Sequence, residues 1–427
     1  MRVLMITDAY PPIIGGVEKH VQTLSAELIA RGHDVAVTTL WREGLDTFEC
    51  DGAVRVHRIR GTLHRAPQLF RNPGRAWAPP FPDPELVAAL RGVVAKERPM
   101  IVHGHDWLVR SFLPLKYWSQ ARLVTTLHYY TLTCAKKSLM YRGAPCTGPG
   151  FLKCLGCGQR HYGYKGMPIA FGNWAMGSVE RVLVDMFIPV SRATAVGNGL
   201  VDSGLPYRVI PNLIPHAINA PSDDNAPYLA QLPPDGFLLF VGDFVHDKGI
   251  NVLLQAYAGL KDAPPLVLIG KPFHGSPTEY PENVVVLKNW PNHAVMEAWR
   301  RCSIALVPSI WPEPFGIVVT EAMMSGRPVI ASRIGGIPDI VADEETGVLV
   351  PPGDPGALRG ALVRLLADKG LCKRMGAAGK ERVANFHASV VVPQIEEVYR
   401  TVLERPEAPR ARERIATVSD DASGESS

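Results

Sequence analysis

Two glutamates eight positions apart lie in the segment WPEPFGIVVTEAMMSG, residues 311–326. A Phe-Gly turn and the start of an apolar, helix-like run separate Glu313 from Glu321. Two carboxylates at this spacing could act as an acid/base pair, hold a metal ion, or bind the hydroxyl groups of a ligand. The apolar neighbours of Glu321 predict a buried setting, in which a carboxylate needs a partner.

The turn between the glutamates suits an anion. Gly316 and Ile317 would open a helix, and the first amides of a helix have no partners within it. The carboxylate of Glu321 suits a ribose diol because it accepts two hydrogen bonds, and Glu313 could reach a sugar hydroxyl. The alternative is that Glu321 is an ordinary residue on a helix surface.

Two further sites could contact a phosphate. Gly15 and Gly16 lie between a strand-like run and a helix, where the lack of Cβ atoms lets a ligand approach the backbone, although a plain structural turn is equally compatible. Lys248 lies in a strand-to-helix loop and could hold a phosphate as a point charge; a solvated loop lysine is the alternative. No GxGxxG follows the first strand, which argues against an NAD enzyme.

Short apolar runs of strand length alternate with helical periodicity in both halves, which predicts parallel sheets covered by helices. The runs are RVLMITD, DVAVTTL, MIVHGH, RLVTTLH, MFIPVS and YRVIPN, then FLLFVGD, PLVLIG, NVVVLK, SIALVPS, PVIAS and GVLVPP. We therefore predict an α/β fold of two doubly wound domains facing across a cleft. The ligand site is expected at the C-terminal ends of the strands.

The expected boundaries are an N-terminal domain over residues 1–218, a linker over 219–236 and a C-terminal domain over 237–380. A helix within residues 381–404 is predicted to pack back on the N-terminal domain. Residues 405–427 hold almost no large apolar side chain, which predicts a disordered tail.

Composition and charge limit the classes of function. The 427 residues are 46 % hydrophobic and 20 % charged, as in ordinary globular proteins. A net charge of +4 argues against a nucleic-acid partner. No run approaches a membrane span, the start does not fit a signal peptide, and the seven cysteines are an odd number. These features predict a cytoplasmic protein, with peripheral contact at the inner face of the membrane left open.

The segment EPFGIVVTEAMMSGRPVIASRIGGIPDIVADEETGVLVPPGD resembles the signature of family 4 retaining glycosyltransferases of the GT-B fold, whose two glutamates are separated by seven residues. GG near the N-terminus, TTLH, VIPN and KG at Lys248-Gly249 extend the resemblance over about residues 1–404. It implies two Rossmann-like domains, the first on the acceptor side and the second binding a nucleotide-sugar.

The resemblance also implies roles for the residues. Glu321 would bind the donor ribose, Glu313 the donor sugar, and Lys248 the diphosphate leaving group. His128, in TTLH, resembles the family's histidine near the reacting centre, although a lone histidine is more often a packed or capping residue. The other implied donor-binding residues line the phosphate and sugar loop or let the N-terminal loop approach: Phe315, Gly316 and Ile317, with Gly15 and Gly16.

The implied reaction moves a hexosyl group with retention from a UDP-, GDP- or dTDP-sugar to a small-molecule, lipid-linked or glycan acceptor. The leaving phosphate would take the acceptor proton in a front-face attack. His128, Lys248 and Glu313 form the implied catalytic set. Catalysis requires no metal or other cofactor, because a lysine and helix N-termini neutralise the diphosphate.

One donor-binding position departs from the family. Asp243 lies in GDFVHDKG where an arginine is usual beside the lysine. His246 and Arg333 are candidates to supply the missing phosphate contact. The departure keeps two alternatives open, a non-catalytic nucleotide-sugar-binding protein and a sugar-nucleotide epimerase of the same fold.

Four cysteines fall in a Gly- and Pro-rich insertion over about residues 134–158, and they are Cys134, Cys146, Cys154 and Cys157. Four thiolates can supply a tetrahedral zinc site, and the final CxxC is typical of a pair that holds zinc from a tight turn. Reduced thiols with packing roles are the alternative. Some family members carry a similar insertion, so a structural zinc ion is predicted on the acceptor side.

A basic and aromatic segment precedes this insertion, and its members are Arg58, Arg60, Arg65, Phe70, Arg71, Arg75, Trp77 and Phe81. An anionic lipid surface or a phosphorylated acceptor would suit it, but an exposed loop with snorkelling arginines is favoured. The apolar segment GMPIAFGNWAMGSVERVLVDMF, residues 166–187, is predicted to be a core helix rather than a membrane-facing one.

Overall fold

The computed structural model describes residues 1–13, 15–65, 77–214, 225–234, 236–273 and 275–405. Phe70, Arg71 and Arg75 of the basic segment lie outside the described residues. Most of the predicted linker and the predicted tail from residue 406 onward also lie outside them.

The N-terminal half is built on a seven-stranded sheet. Its strands are β1 (Arg2–Ile6), β2 (Asp34–Leu40), β3 (Phe48–Asp51), β4 (Val54–Ile59), β5 (Ile101–Gly104), β6 (Arg122–Leu127) and β9 (Met186–Pro189), and a separate hairpin is formed by β7 (Met140–Tyr141) and β8 (Ala144–Pro145). The sheet order is β3-β4-β2-β1-β5-β6-β9, and all neighbours pair in parallel except β3 with β4. Except for the exposed edge strand β3, the strands are largely buried, as is typical of a parallel sheet covered on both faces.

Helices cover both faces of this sheet. They are α1 (Gly16–Ala30), α2 (Pro84–Glu97), α3 (Lys116–Ser119), α4 (Phe151–Tyr162), α5 (Gly166–Leu183) and α6 (Arg192–Gly197), with 3₁₀ turns at Thr62–Arg65, Trp107–Ser111, Leu113–Leu115 and Gly163–Lys165. Helix α1 begins at Gly16, with Gly15 as its N-cap residue. Its Val17, Val21, Leu24 and Leu28 are buried at the predicted helical spacing.

The C-terminal half has a six-stranded parallel sheet. Its strands are β10 (Leu238–Val241), β11 (Leu266–Gly270), β12 (Val284–Lys288), β13 (Ile304–Val307), β14 (Val329–Ser332) and β15 (Gly347–Val350). The order β12-β11-β10-β13-β14-β15 is that of a doubly wound nucleotide-binding fold. The predicted α/β architecture of two doubly wound domains is confirmed.

The remaining helices cover the second sheet or return to the first domain. They are α7 (Ala226–Leu229), α8 (Ile250–Ala258), α9 (Asn292–Arg301), α10 (Ile317–Met324), α11 (Ile337–Ile340), α12 (Pro355–Ala367), α13 (Lys369–Arg382) and α14 (Ala388–Glu404), with 3₁₀ turns at His246–Lys248 and Val383–Phe386. Helix α14 packs on the N-terminal domain. Its Val391, Ile395 and Tyr399 share a buried cluster with Val21 and Leu24 of α1.

Two local predictions differ from the structure. The segment YRVIPN runs beside β9, with the Arg208 amide donating to Phe187 O and the Ile210 amide to Pro189 O, but it forms no strand. Pro206 precedes the segment and Pro211 lies within it, and a proline cannot donate to a ladder. The core interpretation of residues 166–187 is wrong for α5, because several of its largest apolar side chains point outward. None of the described helices has the length and apolarity needed to cross a membrane.

Candidate functional site

The predicted site residues lie where parallel strands of the two sheets end. Gly15 and Gly16 follow β1, and His128 follows β6. Lys248 follows β10, and Glu313 follows β13. Side chains at the carboxyl ends of neighbouring parallel strands share one edge of a sheet, so the fold gathers residues that are far apart in sequence.

Lys248 and Glu313 form a direct ion pair. The Nζ of Lys248 lies 2.6 Å from Oε1 of Glu313 and also above the ring of Trp311, 5.2 Å from its centroid. The Ser309 hydroxyl donates a second hydrogen bond to the same carboxylate oxygen, at 2.9 Å. Glu313 is buried, so its charge is balanced and its orientation fixed by these two donors.

Glycines fold the chain tightly around Glu313. Gly316 has φ of 111° and precedes α10, and Gly335 has φ of 59°. A Cβ atom on Gly335 would lie 2.2 Å from the carbonyl oxygen of Glu313. The Gly336 amide donates to that carbonyl oxygen at 2.7 Å. The loop before α10 is therefore held against the loop after β14.

Glu321 lies within α10 and is partly buried. The amide nitrogen of Asn292 donates to its Oε1 at 3.0 Å, and the Oδ1 of Asn292 accepts a hydrogen bond from Lys19 of α1 at 3.3 Å. Burial raises the pKa of Glu321, and the Asn292 hydrogen bond and the charge of Lys19 oppose this effect. A carboxylate that is already partly desolvated gains from further hydrogen bonds donated by a ligand.

The two domains approach closely at this cleft. A Cβ atom on Gly16 would lie 2.6 Å from Cδ1 of Ile317, so the glycine lets the N-terminal loop come near the start of α10. The Tyr130 hydroxyl donates to Pro312 O at 2.9 Å, and the Thr194 hydroxyl donates to Pro314 O at 3.1 Å. The loop that carries Glu313 is thus fixed from the opposite domain.

His128 belongs to a buried cluster of imidazoles. Its Nε2 lies 3.1 Å from Nδ1 of His105, and the ring of His20 packs on it with 4.8 Å between centroids. One nitrogen from each of His20, His105 and His128 lies within 4.8 Å of the others. Burial, and next the nearby His103, lower the pKa of His128 to about 3. His128 is therefore a neutral hydrogen-bonding group rather than a cation.

A buried acidic pair lies beside the histidines, at the ends of β1 and β5. Asp8 accepts hydrogen bonds from the amides of Leu108 and Ala78, at 2.7 and 3.2 Å, and Asp106 pairs with Lys137 at 3.2 Å. Burial and the charge of Asp106 raise the pKa of Asp8 to about 7. This part of the N-terminal domain is therefore polar, although its strands are apolar.

Neither candidate for the missing arginine contacts the Lys248–Glu313 pair within the described part of the chain. Asp243 is exposed on the loop after β10, and His246 is exposed nearby. Arg333 forms an ion pair with Asp343, and its guanidinium also donates to Leu349 O at 3.4 Å. Both contacts use the same nitrogen of the guanidinium and hold the Arg333 side chain toward Asp343.

The four cysteines of the insertion lie around α4. Cys154 and Cys157 are on the helix itself rather than in a tight turn. Burial raises the pKa of Cys134, and the charge of Cys157 adds to the effect, so the two thiols are near enough to interact electrostatically. Among the residues that the structure describes, the four thiols do not form a group as close as that of the histidines. The zinc site stays a prediction.

Sequence reasoning located the glutamates, the lysine and the glycines but missed their partners. Asn292, Ser309 and Trp311 are polar or aromatic residues without a recognisable spacing, and only the fold brings them to the glutamates. His20 and His105 were also missed. The pattern VHGHD at the end of a strand was a signal that could have found His105.

Comparison with known proteins agrees with this geometry. A sequence model described as Glycosyltransferase Family 4 matches residues 14–217, and one described as Glycosyl transferases group 1 matches residues 229–382. Together they span both domains. Glycogen synthase of Mycobacterium tuberculosis is 26 % identical over 447 aligned positions, which cover 96 % of this chain and 97 % of that protein.

Solved structures show the same fold. Sucrose-phosphate synthase from Thermosynechococcus elongatus superimposes with a TM-score of 0.70 at 23 % identity, covering 94 % of this chain and 99 % of that one. HepE from Anabaena in complex with UDP-glucose gives a TM-score of 0.62 at 18 % identity, covering 93 % and 99 %. With the paired glutamates and the two facing sheets, these matches identify the chain as a family 4 glycosyltransferase of the GT-B fold.

Proposed function

We propose that this enzyme transfers a hexosyl group, with retention of configuration, from a nucleoside-diphosphate sugar to an acceptor hydroxyl. The observation that carries the proposal is the Lys248–Glu313 pair at the start of α10, opposite the Gly15-Gly16 turn of the other domain. The pair offers a cation for a diphosphate and a carboxylate for sugar hydroxyls at one point in the cleft.

In the proposed donor complex, Glu321 accepts hydrogen bonds from the ribose hydroxyls. The amides of Gly316 and Ile317, at the start of α10, donate to the phosphates, and Phe315 lines the loop. Lys248 neutralises the charge that develops on the leaving diphosphate. Gly15 and Gly16 leave room for the donor beside the N-terminal domain. UDP-glucose bound to HepE supports a nucleotide-sugar in this cleft.

The proposed reaction takes place on one face of the sugar. The bond between the anomeric carbon and the phosphate oxygen breaks as the acceptor oxygen bonds to the same carbon from the same face. The acceptor proton passes to the leaving phosphate oxygen, so the balance requires no additional base. Neutral His128 would hydrogen-bond near the reacting centre, and no metal is required for charge neutralisation.

The first experiment identifies the nucleotide base of the donor and the class of acceptor. Thermal shift with UDP-, GDP- and dTDP-sugars ranks the donors, because a ligand that binds only the folded state raises apparent stability. Release of the nucleotide is then measured with the best donor, alone and with small-molecule, glycan and lipid-linked acceptors. Retention is read from the anomeric configuration of the product.

Binding without release under every acceptor condition would favour a non-catalytic nucleotide-sugar-binding protein. Conversion of one nucleotide-sugar into another would instead identify an epimerase. Glycosyl transfer is preferred over both alternatives because of the relatives matched along the whole chain. We also propose a cytoplasmic location.

We further propose that the cysteine insertion holds a structural zinc ion through Cys134, Cys146, Cys154 and Cys157. The nearness of Cys134 and Cys157 supports it, and binding would require the other two thiols to close on them. Zinc content is measured in protein purified under reducing conditions, with Cys157→Ser and the distant Cys372→Ser as control. The proposal fails if the purified protein lacks near-stoichiometric zinc or if Cys157→Ser retains as much as the control.

A further inference from the structure

Helix α5 presents its apolar residues to solvent. Met167, Phe171 and Trp174 follow one another at helical spacing on one face and are 49 %, 53 % and 57 % exposed. The adjoining side of the helix, which packs against the domain, carries Ala170, Asn173, Gly177 and Glu180, all of them buried. A surface helix of a soluble protein shows the reverse pattern, so this outer face is built to meet an apolar environment.

The neighbouring helix extends the same surface. The ring of Phe151, at the start of α4, lies 5.8 Å from the Trp174 ring, and the ring of Phe171 lies 5.9 Å from it. Leu152, the next residue of α4, is 80 % exposed. A shallow cavity of about 210 Å³ opens between these rings. We call Phe151, Leu152, Met167, Phe171 and Trp174 the aromatic face.

The aromatic face rests on a tightly packed hairpin. A Cβ atom on Gly166 would lie 2.1 Å from the carbonyl oxygen of Gly158, so α4 and α5 touch through their backbones. A buried ion pair between Glu180 and Arg110, at 3.1 Å, ties α5 to the body of the domain. The rings are therefore exposed although the α4–α5 hairpin that carries them is firmly packed on the domain.

The charged residues in the chain segment that carries the aromatic face have one sign. Residues 134–179 contain no aspartate or glutamate. The basic residues of this stretch are Lys136, Lys137, Arg142, Lys153, Arg160 and Lys165. Lys137 is paired with the buried Asp106, so the charge offered to a partner surface comes from the other basic residues. A second copy of the chain, related by a twofold axis, would bring these charges against their equivalents. An anionic surface would complement them instead.

We propose that the aromatic face docks the N-terminal domain on an anionic lipid bilayer. Tryptophan and phenylalanine bury in the boundary between headgroups and acyl chains, while nearby lysines and arginines are attracted to anionic headgroups. The hairpin follows the His128 strand end, and Tyr130 from that strand end contacts the loop of Glu313. Docking would therefore hold this side of the cleft near the membrane. That this is the acceptor side rests on the proposed function.

Flotation with vesicles tests the docking directly. Full-length protein is mixed with vesicles of phosphatidylcholine alone or of phosphatidylcholine with phosphatidylglycerol. It is expected to float with the anionic vesicles, and less so at high salt. The double variant Phe171→Ser/Trp174→Ser should bind at least about tenfold more weakly, because both interfacial rings are lost. Tyr117→Ser, an exposed tyrosine on another part of the domain, should bind like the wild type.

Three outcomes would overturn the proposal. They are no flotation with anionic vesicles, equal flotation of the double variant, and a dimer that the double variant abolishes, which would assign the face to a second copy. An unchanged unfolding midpoint confirms that the double variant folds. Nucleotide release from the donor, measured without vesicles and with a soluble acceptor, separates the two proposals. The double variant should release nucleotide like the wild type. Absence of release from the wild type under every acceptor condition would count against the enzyme function alone.

Discussion

The ammonium nitrogen of Lys248 lies 2.6 Å from the carboxylate of Glu313, although 65 positions separate the two residues in the chain. The contact exists because β10 and β13 are neighbours in the sheet and both residues follow strand ends. It keeps a lysine charge aligned in the cleft without a ligand. A diphosphate that enters would share this lysine, while the donor sugar would take up hydrogen bonds from Glu313.

Replacement of Lys248 by alanine should lower turnover by about a hundredfold or more, because one preorganised charge would no longer stabilise the leaving group. Steady-state nucleotide release with a saturating donor measures the effect. Lys261→Ala, at an exposed position of the same domain, is the control. Unchanged turnover in Lys248→Ala, with the protein folded, would remove the lysine from the mechanism.

Replacement of Glu321 by glutamine should act on donor binding instead. The neutral amide loses charge-assisted hydrogen bonds to the ribose, which are worth about 1.5–3 kcal/mol, so KM for the donor should rise by roughly ten- to a hundredfold. The kcat value should change little. Burial raises the pKa of Glu321, so removal of its charge should not destabilise the empty protein. A fall in kcat at unchanged KM would assign Glu321 to the chemical step.

Replacement of Gly335 by alanine should disrupt the loop that holds Glu313. The added Cβ would strain a backbone with φ of 59° and lie 2.2 Å from Glu313 O. Gly326→Ala is a matched control, because Gly326 has φ of 70° with nothing near the added atom. In the control, backbone strain alone should lower the free energy of unfolding by about 1–2 kcal/mol. Gly335→Ala should lower it by at least about 1 kcal/mol more, because of the added steric clash. Urea unfolding measures the free energy of unfolding of both variants. Equal decreases in the two would contradict the steric explanation.

The architecture was predictable because both sheets consist of short apolar runs, which is the pattern of strands buried on two faces. The Glu-x7-Glu block was predictable because one turn and one helix carry both carboxylates. The partners Asn292 and Ser309 were not, since their positions depend on the packing of α9 and on the end of β13.

The outward face of α5 was misjudged for a related reason. The composition of residues 166–187 shows that the helix is apolar, but not which side faces the domain. Glycines and Ala170 occupy the inner side because α4 and the body of the domain approach it closely. The large side chains are therefore left outside, against the usual rule that they are buried.

The buried histidines predict how stability changes with pH. Burial lowers the pKa of His20 well below its ordinary value, so the unfolded chain binds a proton there before the folded one does. The free energy of unfolding that depends on this difference is fully present above about pH 6.5 and is lost as the pH falls. The variant His20→Gln lacks the imidazole and so does not lose this part of the free energy of unfolding at low pH. Its stability should therefore fall less steeply than that of the wild type between about pH 6 and pH 4, by up to about 1.4 kcal/mol per pH unit.

Urea unfolding at a series of pH values measures this difference. Contributions from groups that do not interact with His20, such as Asp8, cancel between the two proteins. Removal of His20 also takes away its effect on the neighbouring His103 and His105, so the change in slope belongs to the cluster. His246→Gln is the matched control, because its exposed side chain contacts water in both the folded and unfolded chains. It should follow the wild-type slope. If His20→Gln also keeps that slope, the imidazole of His20 accepts a proton in the folded protein as readily as in the unfolded chain. The account of His20 as a neutral member of the buried cluster would then be wrong.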